Sequence, residues 1–261
     1  PNTHSLSDTH VINEMLKTCD FKFHKIINWL DIGNTTELAK TREFFGTDVE
    51  VLNKKDESIY ISDDFVVKFF ADPLINRNRI KRASNLKGLV PDILGSATNF
   101  YKYKKAEGNL FSKSVNEKTF KAFLDWASQN LWKPMPSDGF RDKCFEFYIK
   151  KTRQRVTQFL DSGSDSSEKI NGEVIPPVEE LLSMIDTEWL CSGKPVQFHG
   201  DFILDNVIET ARDFCLVDWR QDFGGDLEAG DIYYDLAKLN HNLMVNHKIV
   251  EQKLFSHSPS D

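Results

Sequence analysis

The sequence predicts an α+β protein in which a β-rich lobe is followed by a mainly helical lobe. Short runs of alternating apolar residues, separated by turn residues, fill the stretch from 48 to 108. After residue 110 the pattern turns helical, and two long runs carry apolar residues at three-and-four spacing, which is typical of amphipathic helices. Because 40% of the 261 residues are hydrophobic, the chain is long enough to bury a substantial core.

The β-rich lobe contains the runs DVEVLNK, ESIYIS, FVVKFF and NFYKYKKAEG, which predict an antiparallel sheet. The pair Asp63 and Asp64 supplies a turn between the second run and the third. One basic segment, NRNRIKRASNLKGLVPDIL, interrupts the runs and predicts a helix that ends at Gly88 and Pro91. We expect its cations on a solvated helix face, with an anion-binding site as the alternative; they are Arg77, Arg79, Lys81 and Arg82.

Lys68 is the only lysine in the apolar run FVVKFF. It alternates with Val66 and Phe70, so all three side chains are expected on one face of the strand. A buried lysine is costly unless it is paired or faces a polyanion. Lys68 is therefore a candidate phosphate contact, and an edge-strand lysine that reaches water is the alternative.

The helical lobe contains two long amphipathic runs, EKTFKAFLDWASQNLW and KCFEFYIKKTRQRVTQFL. The following stretch, DSGSDSSEKINGEVIPP, is rich in turn residues and is expected to be an exposed loop. A shorter amphipathic run, VEELLSMIDTEWL, comes next.

Composition excludes several classes of function. A formal net charge of −7 argues against a general nucleic-acid binder, whose surface is basic. No apolar run reaches the roughly 18 residues of a membrane span, and the polar start does not resemble a signal peptide. The four cysteines have no metal-ligand spacing; they are Cys19, Cys144, Cys191 and Cys215. We therefore expect a cytoplasmic protein with no nucleic-acid partner and no membrane span.

The segment VQFHGDFILDNVIET places His199, Asp201 and Asn206 between two apolar, strand-like runs. A second run, FCLVDW, delivers Asp218 to the end of a strand. Carboxylate and amide oxygens suit Mg²⁺, and Asp201 is left to engage a hydroxyl, which is the arrangement that phosphoryl transfer requires. We expect His199 to brace the loop as a neutral imidazole. Each residue could instead be a simple turn-former, but their order favours a site.

HGDFILDN, LVDW and the later GDIYYDLAKL together resemble motifs of the aminoglycoside phosphotransferase and choline kinase-like family. The resemblance covers residues 48 to 254 and implies a two-lobed, protein-kinase-like fold. It implies that Asp201 is the catalytic base, that Asn206 and Asp218 hold Mg²⁺, and that Asp235 anchors the catalytic loop. Asp231 and Arg220 are weaker matches to the same motifs.

By the same resemblance the lobe at 48–108 binds ATP, and Lys68 contacts its phosphates. The connector YKYKKAEGN resembles the hinge between the lobes, where Glu107 leads into the substrate side. The lobe at 109–261 is then the catalytic and acceptor-binding lobe.

The chain departs from the family pattern in two places. The expected glycine-rich phosphate loop is replaced by VLNKKDESIYIS, so phosphate contacts would come from backbone amides and from Asn53, Lys54, Lys55 and Ser58. The helix glutamate that usually pairs with the strand lysine is missing, because no Glu lies between Asp72 and Lys105. Lys68 is then expected to pair with Asp72, with Glu50, or with nothing until nucleotide binds.

Residues 1–47 form an N-terminal extension, in which IINWLDIGNTTELAKTREFF resembles the closing segment of sugar-phosphate nucleotidyltransferases. An ordinary helical extension is the alternative. The sequence therefore predicts an ATP- and Mg²⁺-dependent phosphotransferase whose small-molecule acceptor is a sugar or an amino alcohol. The extension adds the hypothesis of a nucleotidyltransferase module in the same polypeptide and a role in capsule or lipopolysaccharide biosynthesis. The alternative function is a catalytically degraded, nucleotide-binding kinase-like module fused to such a nucleotidyltransferase.

Overall fold

A computed structural model describes residues 8–19, 36–37, 40–41, 43, 50–163, 169–245, 250–253, 256 and 259–260. The chain divides into two compact units, Pro1–Asp48 and Val49–Asp261, which are considered separately. In the first unit, helix α1 spans Asp8–Met15. Most of the nucleotidyltransferase-like stretch lies outside the described residues.

The second unit begins with a five-stranded antiparallel sheet in the order β1-β2-β3-β5-β4. Its strands are β1 (Glu50–Asn53), β2 (Glu57–Ile61), β3 (Phe65–Phe70), β4 (Ile93–Ser96) and β5 (Phe100–Lys104). In β3, Val66, Lys68 and Phe70 are buried while the residues between them are not, which confirms the predicted shared face. Four strands were expected from their alternation; β4 was not, because Pro91 and Gly95 obscure its pattern.

Helix α2, Pro73–Asn85, lies between β3 and β4, as the basic segment predicted. Asp72 caps its start by accepting a hydrogen bond from the backbone N–H of Leu74 at 2.8 Å. The prediction of a solvated face was wrong for two cations. Arg82 is 1% exposed, and the Arg79 side chain is 12% exposed. Both arginines turn inward because they have partners far along the chain.

The remaining helices build the second lobe. They are α3 (Phe111–Ser114), α4 (Glu117–Asn130), α5 (Phe140–Cys144), a π-helical turn (Phe145–Lys150), α6 (Lys151–Asp161), α7 (Val178–Ser183), α8 (Thr187–Leu190) and α9 (Ile232–Met244). The two long amphipathic runs are helical as predicted. The shorter run splits into α7 and α8, because Asp186 caps a new helix by accepting from the N–H of Trp189.

The stretch expected to be an exposed loop contains a small hairpin, β7 (Lys169–Ile170) and β8 (Glu173–Val174). Asn171 and Gly172 form its turn with φ of 54° and 83°. An Asn-Gly pair with left-handed φ is the preferred two-residue hairpin turn, and this signal was overlooked in the serine-rich surroundings. Strand β13 (Pro259–Ser260) pairs with β7.

Two small sheets position the motif segments. Strands β11 (Phe214–Leu216), β10 (Val207–Glu209) and β6 (Asn109–Leu110) form one, and β12 (Ala229–Asp231) pairs with β9 (Pro195–Gln197) in the other. The fully buried Trp219 stacks on Tyr101 of the large sheet, with ring centroids 5.8 Å apart, so the core is continuous between the lobes. No helix among the described residues has the length and apolar character needed to cross a membrane.

Candidate active site

The segment predicted to be the catalytic loop lies between β9 and β10 and ends in a 3₁₀ turn, Leu204–Asn206. The Asn206 side-chain amide donates to the Asp201 carbonyl at 2.9 Å and to its carboxylate at 3.0 Å. The carboxylate stays 33% exposed, so a solute can reach it. The loop thus presents Asp201 to solvent in a fixed orientation.

Asp235 of α9 anchors this loop from behind. Its carboxylate accepts hydrogen bonds from the backbone N–H groups of His199 and Gly200, at 2.8 and 2.7 Å, and from Trp132 Nε1 at 3.1 Å. The residue is completely buried, and burial raises its pKa to about 6 despite these donors. Gly200 has a φ of 88°, and a Cβ there would lie 2.5 Å from the Cβ of Arg220, so the bend requires glycine.

His199 is completely buried and links the loop to β11. The Asp201 N–H donates to Nδ1 at 3.3 Å, so Nδ1 is the acceptor nitrogen. Nε2 therefore carries the proton and donates to the Val217 carbonyl at 3.0 Å. Burial lowers the pKa of the imidazole to about 4, so it is neutral near pH 7. These contacts match the bracing role expected of His199.

Lys68 and Asp218 form an ion pair between β3 and the end of β11, with Nζ 2.6 Å from Oδ1. Lys68 also lies 3.5 Å from the Glu57 carboxylate of β2. Its partners are therefore Asp218 and Glu57, rather than Glu50 or Asp72. Burial lowers the pKa of Lys68, and the charge on Asp218 opposes this shift.

Arg79 of α2 is a second cation on Asp218. Its Nη1 lies 2.5 Å from the same Oδ1 that Lys68 contacts. Burial alone would raise the pKa of Asp218, but Lys68 and Arg79 hold it well below its usual range. Asp218 has a φ of 59°, a left-handed conformation that costs energy for a non-glycine residue and often marks a functional site.

Arg82, one turn further along α2, ties this helix to the second lobe. It donates to the Phe198 carbonyl and, at 2.8 Å, to the Arg220 carbonyl. Its guanidinium also lies over the Phe198 ring, 3.9 Å from the centroid. Burial lowers the pKa of Arg82 to about 9. Helix α2 is thus tied to the backbone at Phe198, just before His199, and at Arg220, just after Asp218.

The side-chain oxygens at this site are of the types that bind a magnesium ion. The Val217 N–H donates to the Asn206 carbonyl at 2.9 Å, which brings Asn206 beside Asp218. Asn206 uses its amide nitrogen on Asp201, so its side-chain oxygen is the atom available to a cation. One amide and one carboxylate suit Mg²⁺, which completes its shell with water and phosphate oxygens. Among the described residues no cluster of three or more acidic, histidine or cysteine side chains could hold a metal.

Other expected residues lie outside this constellation. Lys54 is exposed in the β1–β2 turn, and Ser58 pairs with Asn53 across that hairpin. Glu107 is 90% exposed, 3.5 Å from Lys104. Among the described contacts, none joins these side chains to the Lys68–Asp218 pair.

The two weaker motif matches, Asp231 and Arg220, make structural contacts. Asp231 caps α9 through the N–H of Tyr233 at 3.1 Å, and Arg220 donates to the Tyr234 hydroxyl at 3.2 Å.

Sequence reasoning missed Lys238, whose Nζ lies 2.7 Å from the Asp201 carboxylate. Lys238 follows Asp235 by three residues on α9, so the two share a helix face. This spacing was the available signal, because one face of α9 must point at the loop that Asp235 anchors.

Solved structures with the same architecture identify the fold. Aminoglycoside phosphotransferase APH(3'')-Id from Streptomyces rimosus matches at a TM-score of 0.52 and 16% identity, over 84% of this chain and 86% of that one. A choline/ethanolamine kinase family protein from Mesorhizobium loti matches at 0.51 and 15% identity, over 84% and 74%. The chain has the protein-kinase-like fold.

This result confirms the predicted fold class. No protein-family model matches the sequence, and no curated protein matches it either. The likeness to solved structures therefore establishes the fold alone.

Proposed function

We propose that the protein is a small-molecule phosphotransferase that moves the γ-phosphate of ATP to an acceptor hydroxyl with the help of Mg²⁺. The observation that carries the proposal is the geometry of Asp201. Its carboxylate is reachable from solvent, is oriented by Asn206 and is paired with Lys238. A carboxylate held in this way can accept a proton from a bound hydroxyl.

The chemistry follows from positioning. Asp201 takes the hydroxyl proton as the acceptor oxygen bonds to the γ-phosphorus, and the bond from that phosphorus to ADP breaks. Lys68, 2% exposed, contributes a fixed positive charge on the nucleotide side. A magnesium ion held by Asn206 and Asp218 would supply neutralisation of the phosphate oxygens. The chain itself fixes the base, the cation and the metal donors before substrate arrives.

The test is ATP turnover with a panel of sugars and amino alcohols, comparing wild type with Asp201→Asn. Asp125→Asn on the exposed face of α4 is the matched control, because it makes the same change away from the site. We expect turnover to fall by about 10³-fold or more in Asp201→Asn and to persist in the control. If basal ATP hydrolysis is equal in wild type and Asp201→Asn, and no acceptor is found, Asp201 is not the base.

The finer assignment concerns the acceptor and the context. We propose a sugar or an amino alcohol as the acceptor, residues 48–108 as the nucleotide-binding lobe and 109–261 as the catalytic lobe. The nucleotidyltransferase-like residues 1–47 support a role in capsule or lipopolysaccharide biosynthesis beside a nucleotidyltransferase module. Product analysis by phosphorus NMR with a candidate sugar acceptor tests this assignment.

Two observations favour a second candidate, a nucleotide-binding module without transferase activity. Asp218 is engaged by two cations, and no glycine occurs in the β1–β2 segment, where the family carries its phosphate loop. Acceptor turnover, measured beside thermal unfolding with and without ATP and Mg²⁺, distinguishes the candidates. Both predict stabilisation, since saturating ligand raises the unfolding free energy by a few kcal/mol, but only the transferase turns over an acceptor.

A further inference from the structure

The side chain of Arg79 lies where a cation would be needed to neutralise Asp218. We propose that Arg79 is a built-in cation that competes with divalent metal for Asp218 and so weakens metal binding there. The inference rests on the proposed function, because it takes Asp218 as the metal-binding carboxylate. It deepens that function by stating how this chain regulates its own metal site.

The first support is the shared acceptor atom. Arg79 Nη1 and Lys68 Nζ reach the same oxygen of Asp218, at 2.5 and 2.6 Å. The Asp218 carboxylate is 20% exposed and the Arg79 side chain 12%, so water screens these charges poorly. A divalent ion at this oxygen would enter beside two positive charges, which raises the electrostatic cost of binding.

The second support is that Arg79 is held at its backbone carbonyl and at its guanidinium. The Trp219 indole N–H donates to the Arg79 carbonyl at 2.8 Å, and the guanidinium lies 4.9 Å from the centre of the Phe70 ring. Arg82 fixes the same helix to the carbonyls of Phe198 and Arg220. The backbone that carries the guanidinium is therefore tied to the residue that follows Asp218, and the cation does not depend on a mobile surface helix.

The third support is the sequence position. In the family pattern this helix supplies a glutamate to the strand lysine, and here no Glu lies between Asp72 and Lys105. Lys68 turns to Asp218 and Glu57, while α2 supplies a positive charge to the same cluster. Helix α2 thus supplies a positive charge where the family pattern has a negative one. This positive charge lies beside the carboxylate that would bind metal.

The test measures metal binding without nucleotide, using Mn²⁺ as the probe and electron paramagnetic resonance of free Mn²⁺ as the readout. Arg79→Gln removes the charge and should tighten Mn²⁺ binding by about tenfold or more. Arg79→Lys keeps the charge and should bind Mn²⁺ more weakly than Arg79→Gln does. Arg77→Gln, an exposed arginine of the same helix, is the matched control and should bind like wild type.

The double variant Arg79→Gln with Asp218→Asn shows whether the effect acts through Asp218. The gain in Mn²⁺ affinity should disappear when this carboxylate is removed. Equal or weaker Mn²⁺ binding in Arg79→Gln than in wild type overturns the inference, and so does a gain that survives Asp218→Asn. Circular dichroism checks that each variant is folded, and Arg79→Met replaces Arg79→Gln if the latter does not fold. Because no nucleotide is present, these results stand apart from the turnover test, and absent ATP turnover would count only against the proposed function.

Discussion

Asn206 holds Asp201 by two hydrogen bonds from a single amide group, one to its carbonyl and one to its carboxylate. The two bonds fix both the loop backbone and the side chain that projects from it. A proton acceptor in phosphoryl transfer must meet the hydroxyl in one geometry, so the proposed function makes the orientation of Asp201 depend on this bond pair. In the proposed function the same residue would offer its side-chain oxygen to Mg²⁺, which would couple the proton acceptor to the metal position.

Asn206→Ala removes both bonds and the metal donor. We expect turnover to fall by about 10²-fold or more, because the base loses its orientation, while nucleotide binding without metal changes little. Steady-state kinetics and calorimetric titration with ATP in the presence of EDTA measure the two effects. Asn130→Ala, which removes an amide at the end of α4, is the control. Unchanged turnover in Asn206→Ala would show that the bond pair is not used.

Lys68→Met removes the buried charge that we propose contacts the nucleotide. We expect ATP affinity to fall by about tenfold or more, since a fixed cation in a poorly screened site is lost. Lys102→Met in the neighbouring strand is a matched control, because Lys102 packs over the Phe65 ring instead of Asp218. Thermal unfolding across an ATP titration gives both affinities. Equal losses of ATP affinity in the two variants would mean that Lys68 acts only through the net charge of the protein.

Asp235→Asn tests the anchor of the catalytic loop. The carboxylate accepts from two backbone N–H groups and from Trp132, and an amide can accept with only one of its two ends. We expect the free energy of unfolding to fall by about 1–3 kcal/mol, the cost of leaving a buried donor unsatisfied. Urea unfolding monitored by tryptophan fluorescence measures it. A variant as stable as wild type would show that the loop is held by other contacts.

His199 predicts a dependence of stability on acid. The native imidazole has a pKa of about 4, below its ordinary value of 6.5. Between these values the unfolded chain binds the proton and the folded chain does not, so stability is lost as pH falls from 6.5 to 4. The loss can reach about 3 kcal/mol for a shift of this size.

Asp235 acts in the opposite sense. Its folded pKa of about 6 lies above the ordinary 3.8, so its contribution to the free energy of unfolding grows as pH falls through 6.

His199→Gln removes the loss of stability that His199 causes in acid and leaves the effect of Asp235. Thermal unfolding of both proteins at pH 7, 6, 5 and 4 should show a steeper loss in wild type. Parallel curves would mean that His199 titrates in the folded state as it does in the unfolded chain.

The sheet and the loop that holds Asp201 and Asn206 could be predicted from the sequence because their signals are local. Alternation in FVVKFF identifies the buried face of β3, and the spacing of Asp201 and Asn206 places both in one loop. The burial of Arg79 and Arg82 could not be read in this way. Their partners Asp218 and Phe198 lie 139 and 116 residues away, and a helix rich in cations is usually solvated.

The contacts of Lys68 illustrate the same limit. The partners expected from the sequence, Asp72 and Glu50, lie near Lys68 along the chain on either side of it. The structure instead uses Glu57 from the adjacent strand and Asp218, 150 residues further on. Lys238 was missed for a related reason, since its partner Asp201 belongs to another element, and only the spacing from Asp235 pointed to it.

Arg82 makes the two lobes poor candidates for exchange between relatives. The residue belongs by sequence to the β-rich lobe, yet its guanidinium is satisfied by carbonyls at 198 and 220 in the other. A hybrid that joined residues 48–108 to a helical lobe whose backbone carbonyls at these two positions lay elsewhere would bury this cation without its acceptors, at a cost of several kcal/mol. Exchange of lobes within this fold should therefore succeed only when the second lobe places two backbone carbonyls where those of Phe198 and Arg220 lie.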